Sequence, residues 1–91
     1  MPVEKFEVVL SSQPKKYYLK CSGKIVSLLN KCFEEISCNP FYNPKRIKKL
    51  KGKKGLSFRY RSGALRIIYE VKLPKREVAV YLIKPRGDVY K

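Results

Sequence analysis

Leu56-Ser57-Phe58-Arg59-Tyr60-Arg61-Ser62-Gly63-Ala64-Leu65-Arg66-Ile67-Ile68-Tyr69 is the stretch whose reading decides the fold. Two β-rich runs flank Ser62-Gly63, and a Ser-Gly pair between such runs predicts a tight hairpin. With Ser62 and Gly63 as the loop, Arg61 opposes Ala64, Tyr60 opposes Leu65, Arg59 opposes Arg66 and Phe58 opposes Ile67. Strand alternation then puts Leu56, Phe58, Tyr60, Leu65, Ile67 and Tyr69 on a core face. Ser57, Arg59, Arg61 and Arg66 fall on the other. Like charges directly opposite each other destabilise a strand pair by ~0.2–1 kcal/mol. An anion between them reverses the sign of that term, and phosphate suits the arginine fork. Arg59 and Arg66 are therefore the first candidate site residues. The bland alternative is a pair of solvated arginines whose stems cover apolar surface. Glu70 shares Arg66's face but lies about 13 Å along the strand.

Outward from the hairpin, the elements follow in a simple order. Residues 5–10 begin as alternation and become apolar, predicting a first strand. Ser11-Ser12-Gln13-Pro14 reads as a helix start, with serine caps and a proline in the first turn. That helix ends near Cys21, and Tyr17 and Tyr18 on it read as packing residues. Ser22 caps a second helix running to about Cys38. Its Ile25, Leu28, Leu29, Cys32, Phe33 and Ile36 repeat at 3-1-3-1-3 and form one apolar face. Asn39-Pro40 stops it. Residues 39–55 read as a loop, punctuated by Pro40, Pro44, Gly52 and Gly55. Residues 72–76 are a turn, 77–83 a mostly buried last strand, and 84–91 a short tail. The expected architecture is α+β, in the order β-α-α-β-β-β, with a helical hairpin packed on a small antiparallel or mixed sheet. One domain spans residues 1–91.

Composition narrows the function. The chain carries 22 Lys+Arg, 7 acids and no histidine, for a formal net charge of +15. Such an excess calls for a polyanionic partner, an acidic protein that masks the charge, or both. Seven cations crowd residues 45–54: Lys45, Arg46, Lys48, Lys49, Lys51, Lys53 and Lys54. With Arg61 they are the candidate RNA-binding set, supplying sequence-independent phosphate affinity. Without histidine, a two-histidine ribonuclease mechanism is excluded. No paired carboxylates, nucleophile elbow or phosphate loop are present. Cys21, Cys32 and Cys38 have no histidine beside them, so they read as reduced structural thiols rather than a zinc site. No apolar run approaches a membrane span, and the N-terminus has no apolar signal segment, so the expected location is cytoplasmic.

Three pieces in order carry a family resemblance. They are Lys49-Leu50-Lys51-Gly52, the hairpin Arg59-Tyr60-Arg61-Ser62-Gly63-Ala64-Leu65-Arg66-Ile67-Ile68-Tyr69, and the terminal Arg86-Gly87-Asp88-Val89-Tyr90. The chain resembles the RelE/ParE superfamily of bacterial and archaeal toxins along nearly its whole length. The RelE branch implies an mRNA interferase, an endoribonuclease that enters the ribosomal A site beside 16S rRNA and cuts bound mRNA without metal or cofactor. It also implies a cognate acidic antitoxin that wraps the toxin. By resemblance, Arg66 matches the hairpin arginine that stabilises the phosphate, and Arg86 the C-terminal arginine. Tyr90 matches the terminal tyrosine that stacks on the substrate base, with or without a part in proton transfer. Arg59 falls where a lysine is usual, and Ser57 stands where the family carries the lysine proposed as general base. Lys53 and Lys54 are the candidate substitutes. The alternatives are a ParE-like, non-nuclease inhibitor of DNA gyrase and a non-catalytic basic RNA- or ribosome-binding module.

Overall fold

The hairpin forms strands β3 (Leu56–Ser62) and β4 (Leu65–Lys72). The computed structural model describes residues 5–41, 43, 45–50, 56–63 and 65–85. Its remaining elements are β1 (Glu7–Leu10), α1 (Ser12–Lys20), α2 (Gly23–Cys38), β2 (Ile47–Lys49) and β5 (Glu77–Pro85), with a 3-10 turn over Leu73–Lys75. The five strands form one mixed sheet in the order β1-β5-β4-β3-β2. β1 runs parallel to β5 and the other pairs are antiparallel. This is the expected α+β layering, with both helices on one face of the sheet. Among the described residues, no helix is long and apolar enough to cross a membrane.

The register of the hairpin differs from expectation. The ladder runs on to Ser62↔Leu65. Arg61 therefore opposes Arg66, and Arg59 opposes Ile68. Arg59 and Arg66 become diagonal neighbours on one face instead of a facing pair. The faces survive because the pairing moves by two residues, and side chains alternate with a period of two. Alternation determines which face a residue takes, whereas the turn determines its partner.

The core forms between that hairpin and α2. Leu29, Cys32 and Ile36 pack with Phe58, Tyr60, Leu65, Ile67, Tyr69, Val78, Val80 and Ile83, and all are buried. Ile25, Leu28 and Phe33 pack at the rim. Phe33 also stacks on Tyr18 at 6.4 Å, which holds α1 against α2. A second aromatic run, Phe6 to Phe41 to Phe58 to Tyr69, has 5.8 Å between successive centroids. Two buried tyrosines keep their hydroxyls satisfied, as burial demands. Tyr60 donates to Glu35 Oε1 at 2.7 Å, and Tyr69 donates to the Pro40 carbonyl at 2.6 Å.

Three further departures are local. Ser11 and Ser22 occupy the N-cap positions but make no side-chain cap bond. Ser11 Oγ instead donates to the Val80 carbonyl at 3.0 Å. The Gln13 amide extends this attachment, exchanging hydrogen bonds with the Ile83 backbone at 2.9 and 3.0 Å. It satisfies β5 where β1 has ended. β5 continues to Pro85, past the expected end at residue 83, and a bulge leaves Tyr81 unpaired between Val80↔Tyr69 and Leu82↔Ile68. Residues 47–49, expected to be loop, form the edge strand β2.

The buried hydroxyls and the thiol predict alkaline lability. Burial pushes the Cys32 thiol above its ordinary 9.0. Burial, then the hydrogen bond to Glu35, pushes Tyr60 far above 10.0, and burial alone does the same to Tyr69. In each case the folded state prefers the neutral form, which ionises more readily in the unfolded chain. Their contribution is therefore complete below the ordinary values and is lost as pH rises through about 9–10 and beyond. The melting temperature should hold to about pH 8.5 and fall above it, and Tyr69→Phe should soften that fall. A melting temperature unchanged to pH 11 would contradict the assignment.

Candidate nucleic-acid interface

The face of the sheet opposite the helices carries the charge. Period-two alternation sends Arg59, Arg61, Arg66, Lys84 and Lys48 to this side, because their strand neighbours Phe58, Tyr60, Leu65, Ile67, Ile83 and Ile47 turn to the core. Cross-strand pairing then arranges the cations in two rows. Arg61 opposes Arg66, which opposes Lys84. Two residues along the strands, Lys48 opposes Arg59, which opposes Ile68, which opposes Leu82. Each like-charged pair costs ~0.2–1 kcal/mol relative to a neutral one.

Arg59 and Arg66 are half-buried, and each has a buried Nε with no hydrogen-bond partner. A buried donor left unsatisfied costs ~1–3 kcal/mol, more when charged. The ion pair seen among the described residues, Lys5 to Glu34 at 2.5 Å, involves neither arginine. Glu70 shares the face but opposes Ser57, one row beyond Ile68. Two guanidinium groups with spare donors, and with no carboxylate paired to them among the described residues, can bind an oxyanion.

The edge strand β2 extends this face. Asn43 Oδ1 accepts from the backbone N–H groups of Lys45 and Arg46 at 3.1 Å each, an Asx turn that leads into β2. The Arg61 N–H donates to the Arg46 carbonyl at 2.8 Å, prolonging the ladder. Together they border a cleft of about 350 Å³ lined by Lys45, Arg46, Ile47, Lys48, Arg59 and Arg61. Lys48 belongs to this cleft. Lys49 pairs with Phe58, and alternation sends it to the opposite side. The described part of the basic run is thus divided between two faces. For an RNA ligand, Lys48→Ala should weaken binding several-fold and flatten the logarithmic salt dependence by about 0.7 per lost phosphate contact. Lys49→Ala should do less on both measures. Filter binding across a salt series checks this, and equal effects would mean the run acts as one diffuse patch.

Of the sequence candidates, the structure brings together Arg59, Arg61, Arg66, Lys45, Arg46 and Lys48. Lys51, Lys53, Lys54, Arg86 and Tyr90 lie outside the described residues. Ser57 is on this face but only 3% exposed. Tyr60 and Tyr69 belong to the core, their hydroxyls donated to Glu35 and to the Pro40 carbonyl. Lys84, expected to begin a tail, instead lies within β5 opposite Arg66. Its signal was the alternation of β5, interrupted by the bulge at Tyr81.

Solved structures share this architecture. An archaeal RelE–RelB complex from Pyrococcus horikoshii OT3 aligns with a TM-score of 0.76 at 23% identity, covering 90% of this chain and 96% of that chain. A RelBE toxin–antitoxin complex from Mycobacterium tuberculosis gives 0.72 at 18% identity, covering 90% and 99%. This chain has the RelE toxin fold. The isolated E. coli RelE toxin is a third example, with a TM-score of 0.68 at 23% identity over 93% and 90% of the two chains. No family model and no curated protein sequence matches the chain. In the RelE fold seen here, the hairpin arginines sit at the centre of the open sheet face.

Proposed function

We propose that this protein is the toxin of a toxin–antitoxin pair and an endoribonuclease that cuts mRNA in the ribosomal A site. The observation that carries this reading is the pair of buried, unpartnered Nε donors of Arg59 and Arg66 on the cationic face of a RelE fold. In the reaction, the substrate 2′-hydroxyl attacks the adjacent phosphorus and the bond to the 5′-oxygen breaks. The products are a 2′,3′-cyclic phosphate and a 5′-hydroxyl. Negative charge grows on the phosphoryl oxygens, and Arg66, with Arg59 diagonal to it, neutralises that charge. Positioning and electrostatic stabilisation supply most of the catalysis of phosphoryl transfer. Arg86 and Tyr90 act, on this reading, as a second phosphate ligand and a stacking platform for a base.

Neither histidine nor a lysine at position 57 supplies a base. The chain's part is therefore charge neutralisation, with the ribosome holding the RNA in an attacking geometry and Lys53 or Lys54 as the candidate proton acceptor. The partner is an acidic antitoxin, since RelE neighbours were solved with RelB and a net charge of +15 needs masking. The buried Ser57 favours one rival reading, a ParE-like inhibitor of DNA gyrase without nuclease activity. Programmed ribosomes incubated with the purified protein separate them. Codon-spaced cuts ending in cyclic phosphate are expected. Inhibition of gyrase supercoiling with no cuts would select the rival, and neither effect would leave a basic RNA- or ribosome-binding module.

A further inference from the structure

β2 is an outer strand of the sheet, and Arg46, which leads into it, borders two cavities. On one side is the cationic cleft it shares with Lys45, Lys48, Arg59 and Arg61. On the other, toward α2, is a pocket of about 380 Å³ whose lining includes Glu34, Glu35, Cys38 and Asn43. Ile47 turns to the core and Lys48 to the open face, so alternation assigns Arg46 to the open face beside Arg61. Its charge is nevertheless felt on the core side. There burial raises the Cys32 thiol and the Tyr60 phenol, and the Arg46 charge partly opposes both rises. The backbone of Arg46 is fixed at both ends. Its N–H donates to Asn43 Oδ1 at 3.1 Å, and its carbonyl accepts from the Arg61 N–H at 2.8 Å. Only the exposed side chain is left to turn.

Glu35 supplies the attraction toward the core side. Its Oε1 accepts from Tyr60 at 2.7 Å, which anchors the carboxylate in the second pocket. Its neighbour Glu34 is already engaged by Lys5. We propose that Glu35 and the cleft compete for Arg46: Glu35 holds the guanidinium at the sheet edge in the free protein, and a phosphate entering the cleft draws it across. Glu35 then sets how tightly the cleft holds its anion. The inference rests on the reading that a phosphate backbone enters this cleft, and it adds the residue that restrains binding there. Among the described residues no ion pair joins Arg46 to Glu35, so their attraction acts across a gap. A weak, exposed attraction is what a transferable side chain needs, because a close bidentate pair would withhold Arg46 from the ligand.

Binding of a short 2′-O-methyl oligoribonucleotide, which cannot be cut, tests the competition at fixed salt. Glu35→Gln keeps an oxygen for the Tyr60 hydroxyl and removes the charge. It should tighten binding by about two- to fivefold, the range set by an exposed ion pair. Glu34→Gln makes the same change of net charge in the same pocket and should tighten binding less. In an Arg46→Ala background, itself weaker than wild type, the excess of Glu35→Gln over Glu34→Gln should vanish. The Arg46 Nε–H resonance of the ligand-free protein should also move on Glu35→Gln and stay in place on Glu34→Gln. Equal gains from the two glutamines, a Glu35→Gln gain that persists without Arg46, an unmoved Nε–H resonance, or an Arg46→Ala protein that binds as well as wild type would each overturn the inference. Inorganic polyphosphate should show the same coupling without RNA. Coupling on polyphosphate with no cutting of ribosomal mRNA would overturn the nuclease alone, and cutting without the coupling would overturn this inference alone.

Discussion

Arg66→Ala is expected to lower single-turnover cleavage of ribosome-bound mRNA by about 10²–10³-fold, the usual loss when one preorganised charge-stabilising donor is removed. The variant should melt at or above the wild-type temperature. Arg66 has a like charge on both sides, Arg61 on β3 and Lys84 on β5. Its removal relieves two repulsive pairs of ~0.2–1 kcal/mol each, together with a buried unpartnered Nε. Activity and stability therefore move in opposite directions, which a misfolded variant does not do. Arg59→Ala should be the milder substitution, since Arg59 opposes the neutral Ile68 and only one cation, Lys48. The double variant should lose less than the product of the single losses, because both groups act on one phosphate. An Arg66→Ala protein that melts normally and cuts at near wild-type rate would refute the arginine mechanism.

Ile67→Ala is expected to do the reverse. Ile67 is fully buried between Tyr60 and Ile83, its partners on the two neighbouring strands. Truncating a buried isoleucine costs ~2–5 kcal/mol, the spread reflecting how far the cavity collapses. For a domain of this size each kcal/mol is worth roughly 4–8 °C of melting temperature, so the midpoint should fall by about 10 °C or more. Below that midpoint the cutting rate on saturating substrate should stay within a few-fold of wild type, because Arg66 keeps its strand and its face. Thermal melting with single-turnover kinetics reads both. A stable Ile67→Ala variant with a collapsed rate would show that the core side of β4 aims the arginine more directly than alternation alone requires.

The two substitutions sit on adjacent residues, and their contrast shows what could be read in advance. Alternation through residues 56–71 was enough to send Phe58, Tyr60, Ile67 and Tyr69 inward and Arg59, Arg61 and Arg66 outward. The 3-1-3-1-3 spacing was enough to place Leu29, Cys32 and Ile36 on the buried face of α2. These are local properties, because side-chain direction repeats with the backbone period whatever the partner strand. The RelE resemblance likewise rested on residue order.

Other features depended on groups far apart in the chain. Which arginine opposes Arg66 was decided by where the turn closes, and both registers satisfy the same apolar pattern. β2 exists because β3 offers a free edge to Ile47, Lys48 and Lys49, a lysine-rich segment with little strand signal of its own. Lys84 joined this face through β5 pairing across a bulge, and Ser11 left a capping role for the Val80 carbonyl while Gln13 bonded the Ile83 backbone. The sequence by itself determined the faces, the core and the charge. Tertiary structure decided which cations became neighbours, because cross-strand pairs are contacts between distant residues whose energies, tenths of a kcal/mol each, leave no mark on local sequence.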